Sequence, residues 1–217
     1  MKKENILFAR RLTAFLIGTV LALGGVALVI QARLGASPSS SLPNAISIAS
    51  GIPLSRVILM VYAVEIAAQF VLRGKERQWR DLLQIPVALF QSFLLDRFQT
   101  LGLFSYDLLW QRVLLMAVGV LFIGVGVFLA VNMRMIPAPP EGLLDALSRR
   151  TGINMGLMKN IQDGVTVGSA ILVDLIFTGR IAAVGVGTLC SMLMAGRVVA
   201  LCSKLFLKKL LAFTGME

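Results

Sequence analysis

Two segments of the chain are versions of each other: Gln31-Ala-Arg-Leu-Gly-Ala-Ser-Pro-Ser-Ser-Ser-Leu-Pro-Asn-Ala-Ile-Ser-Ile-Ala-Ser-Gly-Ile52 and Asn132-Met-Arg-Met-Ile-Pro-Ala-Pro-Pro-Glu-Gly-Leu-Leu-Asp-Ala-Leu-Ser-Arg-Arg-Thr-Gly-Ile153. A shift of 101 positions (134 − 33) aligns them without a gap. Carried back to Arg11, the same shift gives 12 identities in 42 pairs. The shared residues include Arg, Gly and Pro, which unrelated apolar sequences rarely match in register, so the pattern indicates an internal duplication.

Hydropathy places the chain in a membrane. It is 57% hydrophobic and 15% charged, with a mean hydropathy of +0.85, whereas soluble domains are about 45–50% apolar. The runs 12–32 and 113–133 each contain 21 residues without a charge. A hydrocarbon core of about 30 Å is crossed by ~20 helical residues. The sequence therefore predicts an all-α integral membrane protein.

Composition also excludes several classes of function. The net charge of +10 needs no nucleic-acid partner, because the basic residues cluster beside predicted helix ends. Cys190 and Cys202 lack a Cys-x-x-Cys arrangement, so neither a disulfide framework nor a zinc site is expected. The chain has no histidine and no pattern of a nucleophile beside a base, so we expect no enzyme activity, cofactor or metal.

Six membrane-spanning helices are expected, at about 8–30, 54–72, 82–95, 110–132, 155–178 and 181–203. The first is interpreted as a transmembrane helix rather than a signal peptide, since its apolar run is long. The third is short, and it either spans with Arg80 and Arg97 as its ends or re-enters the membrane. The repeats cover about 8–98 and 108–203, in one membrane domain with a basic tail at 204–217. A short helix follows Pro38 and Pro139 in each repeat, spanning, re-entering or lying at the surface.

An odd number of helices in each repeat predicts that the repeats have opposite orientations. The distribution of basic residues agrees with this prediction if both termini are cytoplasmic, because the 73–80 loop and the lysines of the tail then lie on the cytoplasmic side. We therefore expect two inverted three-helix repeats in the bacterial inner membrane.

Polar residues within the predicted spans are the candidate substrate-binding residues, since charged groups in a bilayer cost several kcal/mol unless they are paired or hydrated. Glu65 and Gln69 lie one turn apart; a hydrogen bond between helices explains them as well as a solute or proton role does. For Lys159 and Asp163, an ion pair near the interface is the simpler interpretation. The full candidate set is Glu65, Gln69, Gln84, Gln91, Lys159, Asp163, Gln31, Arg33, Asn132 and Arg134.

The last four of these residues form a repeated Gln/Asn-x-Arg motif at the end of each long helix. A cation there is stabilised by the helix dipole, which accounts for Arg33 and Arg134 without a ligand. If the short helices behind Pro38 and Pro139 enter the membrane, their N-termini offer free N–H groups, as in broken-helix transporters. The sequence then predicts a polar cavity between the repeats, closed by these helices from opposite sides.

The run from Gly25 through Gln31-Ala-Arg-Leu-Gly-Ala-Ser-Pro38, with Leu82-Leu-Gln-Ile-Pro86 and Gly185-Val-Gly-Thr188, resembles the YczE/YyaS/YitT-type bacterial membrane proteins. The resemblance covers about residues 10–203 and implies a multi-pass membrane protein without naming a substrate. The second link departs from it, since Met135-Ile136 stands where the first link has Leu-Gly.

Three functions are compatible with these features. The first is a small secondary transporter or permease with the lipid bilayer and an unknown small solute as partners, either alone or as a homodimer. The second is the substrate-capture subunit of an energy-coupling-factor type importer. The third is a membrane scaffold or regulator that transports nothing and whose polar residues only pack helices.

Overall fold

A computed structural model describes residues 2–74, 79–101 and 106–216. Within these ranges the chain forms α-helices, one 3₁₀ turn at Trp79–Leu83 and no strand. The predicted 73–80 loop lies partly outside them, at 75–78. The helices are α1 (Lys2–Gln31), α2 (Pro38–Ser50), α3 (Leu54–Arg73), α4 (Gln84–Thr100), α5 (Leu109–Asn132), α6 (Pro139–Thr151), α7 (Met155–Thr178) and α8 (Val186–Thr214).

Five of these helices, α1, α3, α5, α7 and α8, are long and apolar enough to cross a membrane. This confirms the prediction of a multi-pass helical membrane protein. The helix expected at 82–95 is α4, which has 17 residues and does not reach the length of a span by itself. The expected sixth crossing therefore stays a prediction.

The last helix differs from its prediction at both ends, running from Val186 to Thr214 rather than over 181–203. Residues 181–185 are held outside it because the Ala182 and Ala183 amides donate to the Asp174 carboxylate, each at 2.7 Å. At the other end the helix continues through most of the predicted basic tail. There the Arg11 guanidinium donates to the Thr214 carbonyl at 3.1 Å. This bond satisfies a carbonyl of the last helical turn, which has no partner within the helix.

The two short helices repeat each other in detail. Their first and last residues differ by 101 (139 − 38 and 151 − 50). Each ends on a left-handed glycine, Gly51 with φ 71° and Gly152 with φ 72°, a conformation that glycine adopts without strain. Each also follows an arginine with positive φ, 54° at Arg33 and 49° at Arg134. Such values are uncommon for arginine, and their recurrence supports the duplication.

Helices α1 and α5 form the largest interface and run antiparallel. A Cβ atom built at Gly18 would lie 2.7 Å from the Gly126 carbonyl oxygen, and one at Gly25 would lie 2.5 Å from the Gly119 carbonyl oxygen. The glycines that the duplication preserves therefore bring the two backbones into direct contact. Small residues allow such an approach where the lipid provides no hydrophobic drive to association.

The short helices pack on the other repeat, since α2 packs on α7 and α6 packs on α3. Within each repeat, α4 packs on α1 and α8 packs on α5. The N-terminal part of α1 meets the end of α8, so both lie at one end of the bundle, the terminal end. The link before α2 lies at the opposite end, where the Gly187 amide donates to the Leu34 carbonyl at 2.7 Å.

Asp174 is fully buried and organises this opposite end, because its Oδ2 accepts both the Ala182 and Ala183 amides. Asp174→Ala leaves the Ala182 and Ala183 amides, the second of them buried, without this acceptor, and we expect it to lower the free energy of unfolding by about 2 kcal/mol. The thermal midpoint of purified protein in detergent measures this loss. Thr178→Ala, which removes only the hydroxyl's local bonds to the Asp174 and Arg180 carbonyls, is the control and should change the midpoint far less.

Candidate functional site

A cavity of about 1120 Å³ lies between the two repeats. Both short helices reach it with their first turns, through Ser37–Ser40 on one side and 137–141 on the other. In each helix this turn contains buried residues, including Pro38 and Pro139, whereas the last residues, Ser50 and Thr151, are exposed. The two helix N-termini therefore point into the bundle and towards one shared space. Most of the remaining lining is apolar and comes from α1, α5 and α8.

The first turn of α2 has an unsatisfied donor. Pro38 has no amide proton, and the Ser40 amide donates to the Ser37 carbonyl at 3.0 Å. Ser37 occupies the N-cap position, but its hydroxyl pairs with the Ser40 hydroxyl at 2.6 Å rather than capping the helix. Among the described residues, the Ser39 amide has no acceptor, and Ser39 is exposed on the cavity. The turn holds no acidic side chain.

The first turn of α6 differs from that of α2 by containing an acidic side chain. Pro139 and Pro140 lack amide protons, and the Gly142 amide donates to the Ala138 carbonyl at 2.9 Å. This turn also contains the Glu141 carboxylate, whose buried Oε2 has no hydrogen-bond partner among the described residues. Glu141 aligns with Ser40 (141 − 101), so the duplication has placed a carboxylate at one helix N-terminus and a hydroxyl at the other.

Charged residues line the cavity towards the terminal end of the bundle. Arg73 bridges Asp81 at 2.6 Å and Asp145 at 2.9 Å. Lys159 pairs with Asp163 at 2.7 Å. Arg134 also lines the cavity, is exposed and makes no ion pair within the described residues. The cations and carboxylates are largely paired, so this region is polar without a strong net charge.

The two ends of the cavity differ. At the opposite end, the Ala36 amide donates to the Ala183 carbonyl at 2.9 Å, and Gly35 and Gly185 allow the links of the two repeats to touch. At the terminal end, the corresponding link is Met135-Ile136-Pro137, which makes no such bond among the described residues. The exposed arginines Arg134 and Arg149 line the cavity there. Among the described residues, backbone hydrogen bonds thus join the links of the repeats at the opposite end.

Four of the ten residues selected from the sequence line the cavity: Gln91, Arg134, Lys159 and Asp163. Gln69 and Gln84 do not; they are fully buried and bonded to each other at 3.1 Å, against Gly142. Glu65 is half-buried outside the lining, and its Oε2 has no hydrogen-bond partner among the described residues.

The other three predicted residues lie at helix ends away from the cavity. Gln31 donates to the Phe98 carbonyl at 3.2 Å, and Asn132 donates to the Phe128 carbonyl at 2.7 Å. Arg33 is exposed at the opposite end. These contacts support the structural interpretation of the repeated motif for all but Arg134.

Several cavity residues were missed as individual candidates: Ser37, Ser39, Ser40, Tyr62, Glu141 and Ser191. Ser40 and Glu141 could have been found, since the alignment of the repeats pairs them directly behind the two prolines. No pattern in the sequence predicts that Ser191 lines the cavity. It is 1% exposed, and its hydroxyl has no hydrogen-bond partner among the described residues.

Residues 9–204 match a protein family of unknown function, DUF6198. The match covers most of the chain, so the chain belongs to this family. No similar chain was found among curated proteins or solved structures.

Proposed function

We propose that this member of the family is a small secondary transporter of the bacterial cytoplasmic membrane, working through the cavity between its repeats. The observation that carries the proposal is the pair of short helices whose N-terminal turns both reach one cavity inside the bundle. Helices that stop within the membrane place backbone donors and dipole ends at the depth where a solute is bound. A scaffold protein does not require a cavity of this size between its helices.

The arrangement we propose has six crossings, with α4 as the sixth and the repeats inverted. It is supported by the antiparallel contact of α1 and α5, and by the exchange of partners between the repeats. Backbone hydrogen bonds of the described residues join the repeats at the opposite end, and transport would open the cavity to each side of the membrane in turn.

Accessibility of a thiol at position 39 tests this function without knowledge of the solute. Cys190 and Cys202 are first replaced by serine, and Ser39→Cys is then labelled with a membrane-impermeant thiol reagent in right-side-out and inside-out vesicles. We expect the Ser39→Cys variant to react from both sides, because alternating access opens the cavity to each in turn. Labelling is measured as the fraction of protein modified over time.

Ser50→Cys and Thr151→Cys are the matched controls, since both positions are exposed at the surface ends of the short helices. With both termini cytoplasmic, Ser50→Cys should react only from outside and Thr151→Cys only from inside. Reaction of Ser39→Cys from a single side, with the controls behaving as stated, would contradict a transporter and favour a scaffold. Reaction of Ser50→Cys from inside would contradict the topology.

A further inference from the structure

We propose that the first turn of α2 binds an anionic group, such as a carboxylate, on a solute whose remaining body is apolar. This inference rests on the proposed function and names the class of substrate. Residues Ser37–Ser40 would form the subsite, with the free Ser39 amide as its central donor. A helix N-terminus carries a partial positive charge of about half an elementary charge, which favours an anion there.

The second repeat contains an internal precedent for this ligand. The first turn of α6 contains the Glu141 carboxylate, which lines the same cavity. In α2 the equivalent residue is Ser40, whose side chain is short, uncharged and already paired with Ser37. The duplication has thus produced one helix end that carries a carboxylate of the chain and one end that faces the cavity without one. The end in α2 is suited to a carboxylate brought by the solute.

Buried side chains lining the same cavity also lack partners. The Ser191 hydroxyl has none among the described residues, although the residue is 1% exposed. Gln91, 9% exposed, has an unpartnered amide oxygen, and its amide can turn either end inward. Buried polar groups rarely remain unsatisfied without a reason, and a ligand in the cavity would supply their partners. Ser191 lies one turn beyond Gly187, whose amide donates to the Leu34 carbonyl in the link before α2.

The apolar lining specifies the rest of the solute. Phe15, Leu23, Ile123, Val127 and Val199 face the cavity from α1, α5 and α8. A strongly hydrated polar solute would gain little from this surface, whereas an apolar body would be removed from water. The combination of one donor-rich turn and a largely apolar wall is typical of sites for amphipathic organic molecules.

Charged thiol reagents test the sign of the subsite directly. In the background lacking Cys190 and Cys202, Ser39→Cys and Pro140→Cys place one thiol at the same position of each short helix. Rates are measured with anionic sulfonatoethyl and cationic trimethylammonioethyl methanethiosulfonate, each divided by the rate with a free thiol in solution. We expect Ser39→Cys to favour the anionic reagent about tenfold, while Pro140→Cys, beside Glu141, favours the cationic one.

Exchanging the residues that distinguish the two helix ends should abolish these preferences. Adding Ser40→Glu to Ser39→Cys should remove its preference for the anionic reagent, and adding Glu141→Ser to Pro140→Cys should remove its preference for the cationic one. Benzoate should slow the reaction of Ser39→Cys with a neutral reagent, whereas the isosteric neutral benzamide should not. Size-exclusion profiles in detergent verify that each variant is folded.

A Ser39→Cys reactivity that favours the cationic reagent, or that is equal for both, overturns the anion subsite. Equal protection by benzoate and benzamide overturns it as well. Neither result bears on alternating access, because labelling of position 39 from both sides of the membrane is measured with one reagent and does not depend on its charge preference. The substrate class and the transport function can therefore fail independently.

Discussion

Gly126→Leu is expected to prevent the protein from assembling its central helix pair. A Cβ atom at position 126 would lie 2.5 Å from the Gly18 carbonyl oxygen and closer still to the Ala22 amide nitrogen. Both are backbone atoms of α1, so no side-chain rotation can relieve the overlap. The helices must separate, and packing is lost along the whole interface. We expect a loss of about 3 kcal/mol or more in the free energy of unfolding.

The measurement is the thermal midpoint, followed by fluorescence-detected size exclusion of the protein in detergent. Gly164→Leu and Gly168→Leu are matched controls, because both glycines lie in the middle of a long helix and no heavy atom is within 4 Å of a Cβ built at either one. They should yield monodisperse protein. If the thermal midpoint of Gly126→Leu equals that of the wild-type protein, α1 and α5 are not packed as described.

Arg73→Met is expected to release α6 from α3. The guanidinium joins Asp81, next to the start of α4, to Asp145 on α6, and the side chains of Arg73, Asp81 and Asp145 are 14%, 8% and 29% exposed respectively. Removing the cation leaves carboxylates in a poorly hydrated place, where breaking a buried ion pair costs about 3–5 kcal/mol. Since Asp145 keeps its pair with Arg149, the lower value of about 3 kcal/mol is expected for the loss in stability.

Two further variants separate the ion pair from the size of the side chain. Arg149→Met removes a partner of the same Asp145, but its side chain is 70% exposed, so the change should stay within about 0.5 kcal/mol. Arg73→Met combined with Asp81→Asn should recover part of the loss, because one of the two carboxylates that faced the guanidinium is neutralised. Equal midpoints for Arg73→Met and Arg149→Met would show that the bridge contributes no more than a surface pair.

Much of the fold could be predicted because it depends on local or repeated patterns. The uncharged runs 12–32 and 113–133 predicted α1 and α5, since the length of a membrane helix is set by the thickness of the bilayer. The alignment of the repeats predicted short helices behind Pro38 and Pro139, whose proline starts and glycine ends are local signals. It also paired the glycines that α1 and α5 now bring together.

The candidate site was predicted only in part, because the periodicity of a helix identifies a polar face without identifying what that face meets. Gln84 and Gln91 lie seven residues apart on one face of α4, yet Gln84 bonds Gln69 while Gln91 faces the cavity. Likewise, the start of α8 could not be read from hydropathy. The buried Asp174 carboxylate accepts the amides of Ala182 and Ala183, which lie just before α8 and are eight and nine residues from Asp174 in the chain.

The sequence by itself determined the class of protein, the duplication and the position of its short helices, because bilayer thickness, proline and glycine act on neighbouring residues. Only the tertiary structure decided that the first turns of both short helices line one cavity. In that cavity the Ser37 hydroxyl pairs with the Ser40 hydroxyl, whereas the first turn of α6 contains the Glu141 carboxylate. The meeting of the two turns is set by packing between the repeats, which no local pattern encodes.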